Sequence, residues 1–231
     1  MEKMIEVHNL YKAYNQVQAV DGISFEVYKG EIFGLLGPNG AGKTTTIEMM
    51  EGLRKPDQGT VIIDGLSVHE HKKEIRNIIG LQLQSTSLFE LLTVEEMLNL
   101  FASFYTETLP VEMILEEMNL TEKRNDYVKG LSGGQKQRLA IGLALIHNPK
   151  VVFLDEPTTG LDPQARRSLW EVILNLKEQG KTILLSTHYM EEAHFLCDRL
   201  AIMDRGKIMA LDTPDQLISS LQMESAIQFQ W

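Results

Sequence analysis

The chain has 231 residues, of which 43% are hydrophobic and 23% are charged, and its formal net charge is −10. This length fits one α/β domain or a domain with an added lobe, and the ordinary share of charged residues argues against wholesale disorder. The acidic balance lacks the electrostatic footprint of a nucleic-acid-binding module and gives no attraction to anionic lipid. We therefore expect no nucleic acid partner, and we expect any bound phosphate to be held by local loops.

Cysteine content and hydropathy limit the class further. The single cysteine, Cys197, excludes an internal disulfide and suits a reducing compartment. The segment MEKMIEVHNL has no apolar core of signal-peptide length, and apolar runs such as LAIGLALI are far shorter than the roughly 20 residues of a membrane helix. We expect a chain that does not cross a membrane by itself.

The first part of the chain has strand patterns. IEVHNL, AVDGISFEV and EIFGLLG are predicted strands, with a turn signal at Asp21-Gly22. A glycine-rich loop follows the third strand, TTTIEMMEGL has a helical pattern, and GTVIIDGLSV indicates a strand pair around Asp64-Gly65. Strand, glycine loop and helix in this order are the context that a phosphate-binding loop requires.

The composition changes between about residues 85 and 148, where VEEMLNLFASFY and PVEMILEEMNL show helical periodicity. KVVFLDEP and KTILLSTH then return as continuous apolar runs, typical of parallel strands buried on both faces, and the helix SLWEVILNLKEQG connects them. The predicted fold class is α/β. It is a phosphate-loop NTPase core of mostly parallel strands, with an N-terminal antiparallel β part and an inserted helical lobe.

The glycine-rich loop fits the pattern G-x-x-x-x-G-K-[ST]. The predicted nucleotide-binding residues of this loop are Gly37, Pro38, Asn39, Gly40, Ala41, Gly42, Lys43, Thr44 and Thr45. The glycines let successive backbone N–H groups face the phosphates, Lys43 reaches the β- and γ-phosphates, and Thr44 gives its hydroxyl to magnesium. The loop alone indicates a nucleoside triphosphate. Kinases and GTPases share it, although the base-reading N-K-x-D stretch of a GTPase is missing.

Two acids end the apolar run VVFLDE. Ligands bind at the carboxyl edge of parallel strands, so we expect these acids to face the nucleotide. Asp155 is predicted to hold magnesium through water, and Glu156 is predicted to be the general base for the attacking water. The alternative is a solvated strand end without a chemical role.

LSGGQKQRLA, residues 131–140, is a second anion-binding pattern, made of a hydroxyl, two glycines and a helix N-terminus but no lysine. A second grip is of little use to an ATP that one loop already encloses, but it makes sense over an ATP held by another copy. Two copies packed head to tail then bury two ATP molecules, each between the Lys43 loop of one copy and the Ser132 loop of the other. ATP would assemble this homodimer, and hydrolysis would release it.

With these motifs in order, the sequence resembles the ATP-binding cassette (ABC) ATPases over about residues 4–212. GPNGAGKTT resembles the family's phosphate loop, LSGGQ its signature and VVFLDEP its magnesium strand. GLDP (160–163) resembles the dimer-contact loop, and STH (186–188) resembles the histidine switch. The resemblance implies hydrolysis of ATP with Mg²⁺ as cofactor and a homodimer that forms on ATP binding.

The resemblance also assigns roles by position. Tyr14 matches the aromatic residue that stacks on adenine, with Tyr11 as the nearby alternative. Gln84 matches the glutamine that senses magnesium and connects to the lobe. Here Leu83 precedes it where the family commonly has proline, and Gln82 is the alternative.

The remaining roles concern the second copy and the attacking water. His188 matches the residue that contacts the γ-phosphate and holds Glu156 and the water in place. The residues that the resemblance predicts to bind the nucleotide in trans are Ser132, Gly133, Gly134, Gln135 and Asp162.

The resemblance is closest to stand-alone ATP-binding subunits of bacterial multidrug and antibiotic exporters, through STHYMEEAHFLCDRLAIMDRGKIMALDTP. It implies a peripheral position at the cytoplasmic face of the cell membrane, held by an integral-membrane subunit. The alternative is a non-transport mechanochemical ATPase of the same superfamily. Such proteins carry two cassettes or a cassette split by a long coiled coil, whereas this chain has one unbroken cassette.

The predicted organisation has three parts: an ATP-binding α/β core (1–84 and 149–215), a helical lobe with the signature loop (85–148) and a C-terminal tail without a recognisable motif (216–231). The membrane subunit is predicted to dock around Gln84 and the lobe entrance. The apolar cluster expected there comprises Leu88, Phe89, Leu91 and Leu92. The alternative is burial of these four side chains inside the lobe.

Overall fold

A computed structural model describes residues 2–83 and 88–220 of the chain. The strands of this part are β1 (Lys3–Tyr14), β2 (Val17–Tyr28), β3 (Ile32–Leu36), β4 (Gln58–Ile63), β5 (Leu66–Ser67), β6 (Ile79–Gln82), β7 (Val151–Asp155), β8 (Thr182–Thr187), β9 (Arg199–Asp204) and β10 (Lys207–Asp212). The helices are α1 (Lys43–Met50), α2 (Lys72–Ile78), α3 (Val94–Ala102), α4 (Val111–Glu117), α5 (Gly133–Leu145), α6 (Pro163–Glu178), α7 (Met190–Leu196) and α8 (Pro214–Ser220). Short 3₁₀ turns lie at Thr121–Lys123 and Val128–Gly130.

The N-terminal antiparallel part is a four-stranded sheet with the order β2-β1-β4-β5. The turn predicted at Asp64-Gly65 joins β4 to β5, and both of its residues have positive φ, as a two-residue hairpin loop requires. The turn signal at Asp21-Gly22 was wrong, because these residues lie inside β2 at a shift of register against β1. Gly22 has a φ of 70° and forms an irregularity within the strand, as in a β-bulge. It lies against the ring of Tyr11.

The second sheet has the order β10-β9-β3-β8-β7-β6, and all of its strands except β10 run parallel. The predicted parallel strands β7 and β8 are adjacent and fully buried. Their side chains alternate between two apolar cores. Val152, Leu154 and Ile183 face the helices, whereas Phe153 and Leu184 face α1 and the first sheet. Burial on both faces explains the continuous apolar runs in the sequence, and the predicted fold class is confirmed.

The helices between residues 94 and 145 pack on one another and on the second sheet. Thr93 starts α3 with a capping box, in which its hydroxyl accepts a hydrogen bond from the N–H of Glu96. Gly142 of α5 allows Ile114 and Met118 to approach, since a Cβ at this position would lie within about 3 Å of both side chains. The boundaries of the lobe at residues 85 and 148 remain a prediction.

Within residues 2–83 and 88–220, none of the helices combines the length and apolar composition that crossing a bilayer requires.

Candidate active site

Three parallel strands of the second sheet end at one edge and bring together segments that are far apart in the sequence. Leu36 at the end of β3 is paired with Thr187 at the end of β8, and Asp155 at the end of β7 is paired with Ser186. The N–H of Gly37 donates to the carbonyl of Thr187 over 3.3 Å. The phosphate loop, the two acids and the predicted switch histidine therefore meet at the carboxyl edge of the sheet.

Two glycines of the phosphate loop lie where the side chain of any other residue would collide with the backbone. A Cβ at Gly37 would lie 2.3 Å from the carbonyl oxygen of Met203. Gly42 has a φ of 102°, and a Cβ there would lie 2.3 Å from the carbonyl oxygen of Ala19. The loop residues Pro38, Asn39, Gly40 and Thr44 are exposed, Gly42 and Thr45 are half-buried, and Gly37, Ala41 and Lys43 are buried.

Lys43 begins α1 and is only 4% exposed. Its ammonium group donates to the carbonyl oxygens of Gly37 over 2.8 Å and of Pro38 over 3.2 Å. It also lies 3.4 Å from Oε1 of Glu156. The loop carbonyls and this carboxylate hold the cation at the centre of the loop, where a phosphate would meet it.

Glu156 lies between the lysine and the histidine. Its Oε2 is 3.2 Å from Nδ1 of His188 and accepts a hydrogen bond from the hydroxyl of Thr159 over 3.1 Å. Its backbone has a φ of 48°, a left-handed conformation that is costly for a residue with a side chain. The neighbouring strand secures this turn, because the Glu156 N–H donates to both the carbonyl and the hydroxyl oxygen of Ser186.

The surroundings of Glu156 keep it ionised. Burial raises the pKa of this carboxyl, but the hydrogen bond from His188, the charge of Lys43 and the hydrogen bond from Thr159 outweigh burial. The pKa therefore lies below the usual value of a glutamate. A carboxylate that remains charged at neutral pH can accept a proton from water.

Asp155 is buried and is hydrogen-bonded by the hydroxyls of Ser186 and Thr44. Burial raises the pKa of Asp155 more than these two hydrogen bonds and the charge of Lys43 lower it, and the charge of Glu156 raises it further. A hydroxyl and a carboxylate are the hard oxygen donors that suit Mg²⁺, which usually takes one or two carboxylates together with phosphate oxygens. In the parts of the chain that the structure describes, no three or more histidine, cysteine or acidic side chains are grouped so that they could hold a metal ion. A magnesium ion at Asp155 would therefore need phosphate oxygens as further ligands.

Tyr14 stands at the end of β1, where its side chain is exposed. Its ring lies 5.2 Å from the guanidinium carbon of Arg54 and 5.7 Å from the ammonium of Lys12. The alternative residue, Tyr11, is half-buried, with its ring against Gly22 in β2. An accessible aromatic face favours Tyr14 as the residue that stacks on a base.

The signature loop presents Ser132 and Gly133 to solvent at the start of α5. The hydroxyl of Ser132 accepts a hydrogen bond from the N–H of Gln135 over 3.3 Å, and the Ser132 N–H donates to the Gln135 side chain over 2.8 Å. This is a capping box, which the S-x-x-Q spacing of the sequence could have indicated. Gly134 is buried, and a Cβ there would lie 3.0 Å from that of Ala165 in α6.

Asp162 lies close to the signature loop, in the same chain. Its side chain caps α6 by accepting hydrogen bonds from the N–H groups of Gln164 and Ala165, and it is exposed. Because Leu161 and Ala165 contact the glycines of the signature, the predicted trans-acting residues share one surface.

Gln84, the predicted magnesium-sensing residue, lies outside the described residues. The alternative, Gln82, is buried at the end of β6 beside Leu154.

Two residues of the site were missed by reasoning from the sequence. Ser186 binds both Asp155 and the backbone of Glu156, and Thr159 binds the Glu156 carboxylate. The segments STH and EPTT contain these hydroxyls, but nothing in their spacing shows that they face the acids.

The parallel sheet, the glycine loop with its lysine after β3 and the acids at the end of β7 define a phosphate-loop NTPase, to which the packed helices between residues 94 and 145 are added. Residues 20–159 match the family model described as ABC transporter. A shorter match to an AAA domain, described as putative AbiEii toxin of a Type IV TA system, covers residues 127–192. Since the first match covers more than half of the chain, the protein belongs to the ABC transporter family of ATP-binding proteins.

Curated relatives and solved structures agree with this assignment. The chain is 41% identical over 230 residues to the linearmycin resistance ATP-binding protein LnrL of Bacillus subtilis. This alignment covers 97% of the present chain and 74% of LnrL. It is 43% identical over 221 residues to the Nod factor export ATP-binding protein I of Ralstonia nicotianae, covering 94% of this chain and 69% of the relative.

Among solved structures, cbiO1 from Clostridium perfringens, part of the ABC transporter complex cbiONQ, superposes with a TM-score of 0.86 at 27% identity, covering 96% of this chain and 93% of that chain. The ATP-binding cassette MJ0796 was solved as a dimer in a post-hydrolysis state bound to ADP and Pi. It superposes with a TM-score of 0.81 at 29% identity, and the match covers 91% of this chain and 99% of that chain. The protein is thus the ATP-binding, ATP-hydrolysing subunit of an ABC transporter, a family whose cassettes form dimers.

Proposed function

We propose that this chain powers an exporter through a head-to-tail dimer that encloses ATP. The observation that carries the proposal is the cluster of Lys43, Glu156 and His188 at one edge of the parallel sheet. The Glu156 carboxylate lies 3.4 Å from Nζ of Lys43 and 3.2 Å from Nδ1 of His188. This cluster combines a phosphate-binding cation, a carboxylate held in its charged form and an imidazole in contact with that carboxylate.

Each residue has a role in this proposal. The phosphate loop binds the phosphates of ATP, and Tyr14 stacks on adenine. Glu156 takes a proton from the attacking water, while His188 orients Glu156 and contacts the γ-phosphate. When bound, Mg²⁺ neutralises phosphate charge, and Thr44 and Asp155, with Gln84, are the residues that would hold it.

The exposed surface around Ser132 supports action in trans. Ser132, Gly133 and Asp162 are exposed, and the capping hydrogen bonds of Ser132 and Gln135 fix the start of α5. Helix N-termini attract anions, so this start provides a binding site for the γ-phosphate of an ATP in the partner copy. The proposed closed dimer therefore has two composite ATP sites.

The direction of transport rests on the relatives. LnrL is a linearmycin resistance protein and the Ralstonia relative is a Nod factor export protein. We infer that the present chain also serves export, at the cytoplasmic face of the membrane, in a complex with an integral-membrane subunit.

The entrance of the lobe is the proposed docking surface for this subunit. Phe89 is 57% exposed and Leu91 is 75% exposed, whereas Leu88 and Leu92 are partly buried against the core. The predicted cluster is thus divided, and only Phe89 and Leu91 offer apolar surface to a partner. We call this pair the lobe-entrance surface.

The lobe-entrance surface is joined to the segment that precedes the signature. The N–H of Lys129 donates to the carbonyl of Glu90 over 3.1 Å, and the N–H of Val128 donates to the carbonyl of Leu92 over 2.9 Å. Residues 128–130 run directly into the signature loop at Ser132. A partner that moves Phe89 and Leu91 therefore also moves the loop that is proposed to bind the second ATP.

Glu156→Gln tests the proposal. The amide keeps the size of the side chain but accepts no proton, so we expect turnover to fall at least about a hundredfold while ATP still binds. ATP should then hold the variant as a dimer on a sizing column. Glu171→Gln, at an exposed position of α6, is the matched control and should behave as the native chain does. Near-native turnover by Glu156→Gln would refute the assignment of the base.

A further inference from the structure

Arg166 makes a cation–π contact with Tyr189, the residue next to the proposed switch histidine. The guanidinium carbon of Arg166 in α6 is 4.6 Å from the ring centroid of Tyr189, the residue that follows His188. Nε of Arg166 is buried and has no hydrogen-bond partner among the described residues. The ring face of Tyr189 is therefore the group against which this buried part of the guanidinium is held.

The contact continues to the proposed general base. The rings of Tyr189 and His188 have centroids 4.1 Å apart with a tilt of 40°. Nδ1 of His188 lies 3.2 Å from Oε2 of Glu156. Arg166, Tyr189, His188 and Glu156 thus form an unbroken line of side-chain contacts.

The same two helices are joined again one turn further on. The indole N–H of Trp170 in α6 donates to the buried carboxylate of Glu192 in α7 over 3.1 Å. The Trp170 ring also stacks on Phe195 with centroids 4.9 Å apart. Helix α6 is thus held at two points against α7 and the residue that precedes it.

We propose that Arg166 is a positioning residue for hydrolysis, which holds the imidazole of His188 against Glu156 through the ring of Tyr189. Asp162 caps the start of α6 and lies on the surface that faces the partner copy in the proposed dimer. Pressure of the partner on this surface shifts Arg166 and thereby changes how firmly His188 engages Glu156. Hydrolysis in each copy is thus coupled to docking at the start of its own α6. This inference rests on the roles proposed above for His188 and Glu156.

The first test is a set of substitutions at the two contact residues. Arg166→Met removes the cation but keeps a long apolar side chain, and we expect kcat to fall about fivefold with the ATP dissociation constant unchanged. Arg166→Lys keeps a cation over the ring and should recover most of the loss. Tyr189→Phe should retain activity because the ring is kept, whereas Tyr189→Leu should lose as much as Arg166→Met. Arg167→Met, exposed on the same helix, is the control and should leave kcat unchanged.

A double variant separates positioning from a general structural effect. If Arg166 acts through Tyr189, Arg166→Met should have no further effect on kcat in a Tyr189→Leu background. Multiplied losses, native kcat in Arg166→Met, or a loss that Arg166→Lys does not recover would each overturn the inference. Arg166→Gln replaces Arg166→Met if the latter does not fold. Inactivation by Glu156→Gln is tested separately, so the proposed function can stand while this inference fails.

Discussion

Two buried glutamates show how neighbours decide the chemistry of the same side chain. Glu156 is in contact with Lys43, His188 and Thr159, and these groups keep its pKa low despite burial. Glu51, at the end of α1, is 6% exposed, and neither of its carboxylate oxygens has a hydrogen-bond partner within the described parts of the chain. Burial, reinforced by the negative charges of Asp155 and Glu48, raises its pKa to about 8.

The raised pKa of Glu51 predicts a pH-dependent stability. The folded chain binds a proton at Glu51 up to about pH 8, whereas the unfolded chain releases it near the usual value of 4.5. The folded state therefore becomes less stable as the pH rises through this window, by on the order of 3 kcal/mol at pH 7.

Glu51→Gln removes this proton uptake. We expect the variant to be more stable than the native chain at pH 7 to 8 and the difference to disappear near pH 4.5. Urea unfolding in EDTA across this range measures the effect, with Glu171→Gln as an exposed control. A difference in stability that does not change with pH would contradict the argument.

At the scale of the helices, the N-termini of α3 and α5 have the same capping geometry but differ in their expected function. Thr93 with Glu96 caps α3, and Ser132 with Gln135 caps α5, each by a reciprocal pair of hydrogen bonds. Only the second start is proposed to meet a nucleotide.

These matched caps separate stability from function. Thr93→Ala and Ser132→Ala should each lower the free energy of unfolding by about 1 kcal/mol, the usual contribution of such a cap. Only Ser132→Ala should also lower the ATPase rate, because its hydroxyl is proposed to contact the partner's ATP. Unfolding curves and steady-state turnover of both variants measure this. An equal loss of turnover in the two variants would show that Ser132 acts through stability alone.

The lobe-entrance surface gives a second prediction at this scale. Phe89→Ala removes exposed apolar area from a turn that is anchored by the N–H of Leu92 donating to the Phe89 carbonyl. We expect weaker co-purification with a co-expressed membrane subunit of the transporter, and an unchanged unfolding temperature. Met209→Ala is the control, since Met209 is a similarly exposed apolar residue on β10. Co-purification that is equal for both variants would place the docking surface elsewhere.

At the scale of the whole molecule, the proposed dimer divides each ATP site between two copies. Lys43→Ala damages the phosphate loop and Ser132→Arg damages the signature, so homodimers of either variant have two dead sites. In a mixed dimer one site has both lesions and the other has neither. Mixing the two inactive proteins should restore up to about a quarter of native activity, because about half of the dimers are mixed and each has one intact site.

Coupling between the two sites would lower the activity that mixing restores. A cross-link between the phosphate loop of one copy and the signature loop of the other tests the head-to-tail arrangement directly. One chain carries Asn39→Cys and a differently tagged chain carries Gly133→Cys, both at exposed positions. ATP should promote a disulfide between the two tags in the Glu156→Gln background. If placing both cysteines in one chain gives only an intrachain bond, the signature serves its own ATP and the head-to-tail dimer is wrong.

The sequence by itself determined the local parts of this protein. Strand, glycine loop and lysine at residues 32–43 are adjacent in the chain, and their geometry follows from backbone rules for glycine and for helix starts. The apolar runs of β7 and β8 likewise indicated parallel strands buried on both faces. Local signals were wrong where tertiary packing competes with them, as at Asp21-Gly22, which pairing with β1 keeps inside a strand.

Only the tertiary structure decided which distant side chains meet. Lys43, Glu156 and His188 come together because β3, β8 and β7 are neighbours in one parallel sheet, and strand order is not written in any local pattern. The same holds for the contact of Arg166 with Tyr189, which depends on how α6 lies against α7. These contacts join residues that are 23 to 113 positions apart in the sequence. They depend on the packing of the whole core, and for that reason spacing alone could not reveal them.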